Sequence, residues 1–308
     1  MNLSNKALPY VVLMGLLLGS NAVASRFSIG QFPPIAYIFL RFVIATAIHL
    51  ALYALSRSRQ LPSDAKFWLK GSIYGVISLG IPMIGFILGL IYMSSGVMSL
   101  LQTIIPVSTV LLAHVLLKDE RMTWSTGIGV LIALVGAAAL LINRETGLPD
   151  IAKADWRGYA WLGISVLFVS LGSIYARRYL QSEDGFDTST IRMIAATIFV
   201  LPIFLLTDSM DLSRVQTSGI AVLAYAALVG TFFTFWLDFY INKRFGATAS
   251  SESAYVVPVS AIVLGALLLG EIITPVMLIG MVLIFIGLAL LDWHPVEKTK
   301  TSHILEDK

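Results

Sequence analysis

The sequence predicts an all-α membrane protein: ten transmembrane helices arranged as two inverted five-helix repeats. Three observations carry this. Hydrophobic residues make up 57% of the 308 and charged residues 13%, whereas soluble domains carry roughly 25% charge. From Gly71 to Leu117 there is no Asp, Glu, Lys or Arg, a run far longer than the ~20 residues that cross a bilayer. A helical hairpin pattern also occurs twice, from Pro106 to Leu141 and from Pro258 to Leu291. From Glu120 and Glu271 the same residues follow in step: Thr123 and Thr274, Gly129 and Gly280, Gly136 and Gly287, Ala138 and Ala289. Such a unit, repeated at about half the chain length, marks a duplicated membrane protein.

The first repeat is expected over 1–142. Its first helix covers Ala7 to Ser25. Lys6 and Ala22-Val23-Ala24 imitate a cleavable leader, but Ser20 to Arg26 is echoed by Gly172 to Arg178, which favours a helix that stays. The second helix covers 34–55, and a basic loop follows with Arg57, Arg59, Lys66 and Lys70. The uncharged run divides at Ser94-Ser95-Gly96 into helices over 67–92 and 96–117, and a fifth covers 122–142. Residues 143–157, polar and with Gly147 and Pro149, read as a linker. The second repeat, 158–292, is expected to hold helices over 158–177, 189–207, 216–240, 247–269 and 273–291. A charged tail, 293–308, follows. Arg41-Phe42-Val43-Ile44-Ala45 and Arg192-Met193-Ile194-Ala195-Ala196 match between the halves.

Five helices per repeat is an odd number, so the two copies insert with opposite orientation. Fourteen lysines and arginines then fall on the side of the termini. Only Arg26, Arg144, Lys153, Arg157 and Arg214 fall on the other, with Arg41 and Arg192 inside helices. The positive-inside rule places both termini in the cytoplasm of a cell (inner) membrane.

Gly19-Ser20-Asn21, the Arg41 to Ala45 motif, and Pro258…Leu269-Gly270-Glu271-x-x-Thr274…Gly280…Gly287 together resemble the drug/metabolite transporter superfamily, EamA type. The likeness runs from about Ala7 to Leu291. The first copy departs from the pattern at Lys118-Asp119-Glu120, where Leu-Gly-Glu is usual, and Leu18 replaces an aromatic residue. The resemblance implies an exporter of small metabolites, amino acids or related compounds. It also implies a central cavity between helices 1, 3, 4, 6, 8 and 9, with helices 5 and 10 as scaffold.

Read from the residues themselves, helix 4 carries a polar or small stripe at Ser95, Ser99, Gln102, Pro106, Thr109 and Ala113. The spacing of three and four places these on one face. Such a face either lines a wet cavity or packs a neighbouring helix. In helix 9, Thr248, Glu252, Tyr255 and Val259 share a side. An acid within a span is a functional hypothesis by default, although an interfacial place near the helix N-terminus would also stabilise Glu252. Asn21 with Ser20 is a candidate to orient substrate from helix 1. Phe168 and Tyr175, seven apart, and Phe232 and Trp236, four apart, offer an aromatic wall. Arg41 either meets a substrate carboxylate or serves the scaffold, and its repeat partner Arg192 favours the second. His49 and His114 read as structural. Gly15/Gly19, Gly71/Gly75 and Gly85/Gly89 form GxxxG pairs that permit close helix contact, and Pro82 marks a bend in helix 3.

The expected substrate-binding set is therefore Ser20, Asn21, Ser99, Gln102, Phe168, Tyr175, Phe232, Trp236, Glu252 and Tyr255. No catalytic residue, metal or cofactor is expected. There is no cysteine, and no HExxH, GxSxG or Walker A motif argues for an enzyme or direct ATP use. The partners expected are a small-molecule substrate and the lipid bilayer, with no nucleic acid, in a monomer or homodimer. A multidrug or nucleoside/sugar-type transporter of the same fold, or a non-transporting receptor or assembly protein, is the alternative.

Overall fold

A computed structural model describes residues 6–56, 60–116, 122–151, 153–207 and 211–291. Among them the helices are α1 (Leu8–Ile29), α2 (Pro34–Leu55), α3 (Ala65–Gly89), α4 (Ser95–Leu116), α5 (Trp124–Ile142), α6 (Trp156–Tyr179), α7 (Gly185–Leu206), α8 (Thr217–Phe245) and α9 (Ala249–Leu269), each long and apolar enough to span a bilayer. The tenth, α10 (Pro275–Leu291), is apolar and has 17 residues, at the short end of what crosses. The outer surface is apolar: Leu55, Ile142, Leu206 and Leu267 are each at least three-quarters exposed, a surface suited to lipid rather than water.

Caps set the helix starts. Asp64, Ser94, Thr123, Asp155 and Asp184 each accept a backbone N–H from the first turn that follows, as short polar side chains do at a helix N-terminus. Asp155 starts α6 at Trp156, two residues inside the stretch expected as linker. Asp184 starts α7 at Gly185, four residues before the expected position. Trp124 and Trp156 open α5 and α6 and are well exposed, as interfacial tryptophans are.

The packing has a reciprocal pattern that shows the two-fold relation of the halves. α1 packs on α9, and α6 packs on α4; α3 packs on α7, and α8 on α2. Residues 151 positions apart meet their own counterparts where α2 crosses α7: Thr46 Oγ1 lies 2.8 Å from Thr197 Oγ1. Between α5 and α10 the contacts are crossed. A side chain on Gly129 would strike the Gly287 carbonyl, and one on Gly136 the Gly280 carbonyl. The three GxxxG pairs are used the same way within the chain. Gly15 and Gly19 press on α9, Gly71 and Gly75 on α7, and Gly85 on the Trp161 carbonyl of α6 with Gly89 against Met98. Small residues let backbones approach where apolar burial gives helices in lipid little drive to associate.

Two helices contain a π turn, at Val76–Gly80 in α3 and Leu228–Phe233 in α8, equivalent spans of the two repeats. In α3 the cause is local. Pro82 has no N–H for the Ser78 carbonyl four residues back, and Arg192 Nη2 donates to that carbonyl at 3.0 Å instead. α4 breaks at Thr103-Ile104, just ahead of Pro106, for the same reason.

At the end opposite the chain termini, the linker ties the halves together. Ser94 N–H donates to the Thr146 carbonyl, and Ile272 N–H donates to the Gly147 carbonyl. Gly147 has φ +63° and lies so close to Ser94 that a side chain would meet its hydroxyl. Glu271 lies in the same layer. Its carboxylate accepts from Ser95 N–H at 2.8 Å, Ser95 Oγ at 2.8 Å and Gly96 N–H at 3.2 Å, capping α4 from the other repeat. Glu120, its counterpart, lies outside the described residues.

Candidate functional site

A cavity of about 410 Å³ opens at mid-height of the bundle, within the size range of small-ligand sites. Its walls come from α1, α3, α4, α6, α8 and α9, the six helices the resemblance implies. The α4 break and the α3 π turn both face it. Gln102, Pro106 and Ser99 line it from α4, Asn21 from α1, and Ser78 and Pro82 from α3. Ser165 of α6 and Ser253 of α9 add hydroxyls, and Phe86 and Phe235 supply the aromatic surface. No Asp, Glu, Lys, Arg or His is among the described residues that line it.

Several polar atoms on this lining have no protein partner. Asn21 Oδ1, Ser99 Oγ and Ser165 Oγ are buried without a hydrogen bond. An unmet buried polar atom costs about 1–3 kcal/mol, so a native structure that keeps three around one hollow has work for them there. Asn21 is seated by a glycine: a Cβ on Gly230, in the α8 π turn, would lie 2.2 Å from Asn21 Oδ1.

The structure thus gathers Asn21, Ser99 and Gln102 of the expected set and disperses the rest. Ser20 Oγ pairs with Tyr225 Oη of α8 at 2.7 Å. Tyr175 packs with Phe67 and Ile191 near the other end of the bundle, and Phe168 is not in the lining. Tyr255 meets Phe285 of α10 edge to face. Glu252 is buried at the turn between two pieces of helix, Ala247–Ser251 and Ser253–Leu269. It precedes Ser253, which lines the cavity. The inward face of Ser253–Leu269 runs through Ser253, Ala254 and Val257, not through the side of Tyr255 and Val259. Thr248, the first residue on that side, lies in a helix whose side chain there is outside the described ones.

Phe232 and Trp236 line a second cavity, of about 400 Å³, between α2, α3, α7 and α8. Phe235 belongs to both linings. Sequence spacing selected the pair four apart. A π turn holds an extra residue and advances the following face by one position, which turns Phe235 inward. Ser78, Ser165 and Ser253 were missed because none of them falls on a polar stripe of helical spacing, and a lone serine in a span commonly satisfies itself on a carbonyl one turn back. Ser78 does so toward Tyr74, leaving no periodic signal.

The two arginines differ. Arg41 is 2% exposed. It donates through Nε to Thr231 Oγ1 at 2.8 Å and through Nη1 to Ser25 Oγ at 3.3 Å. It holds α2 to the α8 π turn, the scaffold role its duplication suggested. Arg192 reaches the α3 π turn reciprocally, but it is only half-buried and lines the second cavity.

The profile of the EamA-like transporter family matches residues 5–142 and 156–292, once on each repeat. The chain belongs to this family. Proteins of similar sequence include an uncharacterized transporter of Archaeoglobus fulgidus, 24% identical over 86% of this chain and 91% of that protein. The uncharacterized inner membrane transporter YedA of Escherichia coli K12 is 23% identical over 91% of each. A probable terminal-alkyne amino-acid exporter of Streptantibioticus cattleyicolor is 29% identical over 66% of each chain. A crystal structure superimposes with a TM-score of 0.63 at 19% identity, over 94% of this chain and 97% of the other, a likeness of fold. The two matches to one family model agree with the doubled hairpin.

Proposed function

We propose that this EamA-type transporter exports small neutral or zwitterionic amphipathic metabolites, amino acids or close relatives, by alternating access through the central cavity. The observation that carries the reading is the lining: unmet amide and hydroxyl groups on an apolar ground, without an ionisable side chain. Such a surface can hydrogen-bond a compact polar head and house an aliphatic or aromatic side chain. It offers no counter-charge for a net-charged solute, whose desolvation would go uncompensated. The kinship to a probable amino-acid exporter supports the same class. The basic residues support a cytoplasmic position for the start of α1 and the end of α10, and the kinship to a probable exporter supports the outward direction.

Alternating access needs two halves that rock about the site. The reciprocal packing supplies the halves, and the proline-broken α3 and α4 beside the cavity supply bending points. Protein reconstituted in liposomes, given labelled amino acids, nucleosides, sugars and hydrophobic cations, is expected to show saturable amino-acid flux. Gln102→Ala and Asn21→Ala should lower kcat/KM roughly 5- to 100-fold, the equivalent of losing one hydrogen bond in a dry site. Saturable flux confined to nucleosides, sugars or cations would move the assignment to that class. Folded protein that moves nothing in the panel would end the transport reading for these solutes.

A further inference from the structure

The second cavity has ionisable side chains, which the described lining of the central one lacks. Arg192 is a donor-only cation, and its Nε is buried without a hydrogen-bond partner. Its guanidinium is fixed by the Ser78 carbonyl and lies over the rings of Tyr74 and Phe235, at 5.1 and 5.2 Å from their centroids. His49, on α2, is 3% exposed and lines the same hollow. Its Nδ1 lies 3.0 Å from Thr190 Oγ1, and that hydroxyl gives its proton to the Phe186 carbonyl. Nδ1 of the neutral imidazole must then carry the hydrogen of the pair, which leaves Nε2 as a bare acceptor. Nε2 is buried and has no partner, and neither has Thr188 Oγ1 on the same wall. Asp238 contributes a carboxylate to the lining, and Trp236 an indole. One hollow thus holds a fixed cation, a vacant acceptor, a hydroxyl, a carboxylate and aromatic walls.

We infer that this cavity is a second substrate site, an antechamber that selects free α-amino acids before they pass Phe235 into the central cavity. The inference rests on the amino-acid reading of the central site. The carboxylate of the ligand meets Arg192 and Thr188 Oγ1, its ammonium meets His49 Nε2 and Asp238, and its side chain lies among Trp236, Phe232 and Phe235. Charge complementarity is placed here, and the uncharged cavity beyond it needs only hydrogen bonds. Among the described residues Phe235 is the one side chain common to both linings, so its rotation joins them. Arg192 is tied to Ser78, which lines the central cavity, so a ligand pulling on the guanidinium bears directly on the π turn of α3.

The test is binding stoichiometry on the purified full chain in detergent, with L-leucine and L-phenylalanine as probes beside their methyl esters and des-amino analogues. Two ligands per chain are expected. Thr188→Val and Arg192→Lys should each weaken one of the two at least about tenfold, the scale for a charged or buried hydrogen bond. Gln102→Ala should weaken the other. Methyl esters should lose the site that depends on Arg192. Thr188→Val leaves the Arg192–Ser78 contact untouched, so it reports on the site even where an arginine variant folds poorly. One ligand per chain, removed by Gln102→Ala and indifferent to Thr188→Val and Arg192→Lys, would overturn the second site and leave the transport reading standing. Absence of binding and of flux for every amino acid would overturn both.

Discussion

Glu271 is 7% exposed, yet three hydrogen bonds from the first turn of α4 meet its carboxylate. The start of a helix presents unpaired N–H groups and a partial positive charge, so a carboxylate there is stabilised by the backbone itself. Glu271→Gln keeps the shape and loses the charge. It should cost roughly 1.5–3 kcal/mol, read as a lower melting temperature of the detergent-solubilised protein. An unchanged melting temperature would remove the capping role. The repeat made this glutamate visible as a landmark, but its partner lies 176 positions away, and no local pattern names a partner at that distance. The candidate site has the same history. Asn21, Ser99 and Gln102 stood out as polar residues in apolar runs. Phe235 and Ser253 did not, because a π turn and a helix break set their directions.

At the scale of the element, the glycines of α5 and α10 carry the clearest consequence. A Cβ on Gly136 would lie 2.9 Å from the Gly280 carbonyl and 2.9 Å from Leu283 Cβ, closer than packed atoms tolerate. Gly136→Leu should therefore force the pair apart at about 1–3 kcal/mol, seen as lower thermal stability in detergent. Neither helix lines the central cavity, so protein that does fold should bind substrate with unaltered affinity. A selective loss of binding at full stability would contradict the scaffold role. Helix number and order were legible because lipid demands long apolar runs, and the α2 bounds coincide with those expected. The π turn of α8 was not legible, since no proline announces it. Its carbonyls are met by hydroxyls of its own helix, with Thr231 Oγ1 donating to Ala226 O and Thr234 Oγ1 to Val229 O.

For the whole molecule, the odd helix number in each repeat fixes the relative orientation of the halves, and the proposed absolute one, with cytoplasmic ends, rests on the distribution of basic residues. The chain has no cysteine, so single introduced cysteines report sidedness without background. Asp150→Cys, in the linker, should react with a membrane-impermeant maleimide from outside intact cells. Ser182→Cys, in the exposed loop between α6 and α7, should react only after permeabilisation. The reverse pattern would invert the orientation and place the termini outside.

The sequence by itself determined the membrane class, the duplication, the inverted orientation of the repeats and most helix bounds. All of these follow from composition, period and spacing along the chain, which lipid enforces locally. Only the tertiary structure decided which polar residues share a hollow. That depends on helix rotation, and here rotation is reset by two π turns, the α4 break at Thr103-Ile104 and the turn at Glu252. Each changes the local course of a helix by a fraction of a turn, too little to disturb the hydrophobic pattern, and the π turn of α8 lies directly before Phe235.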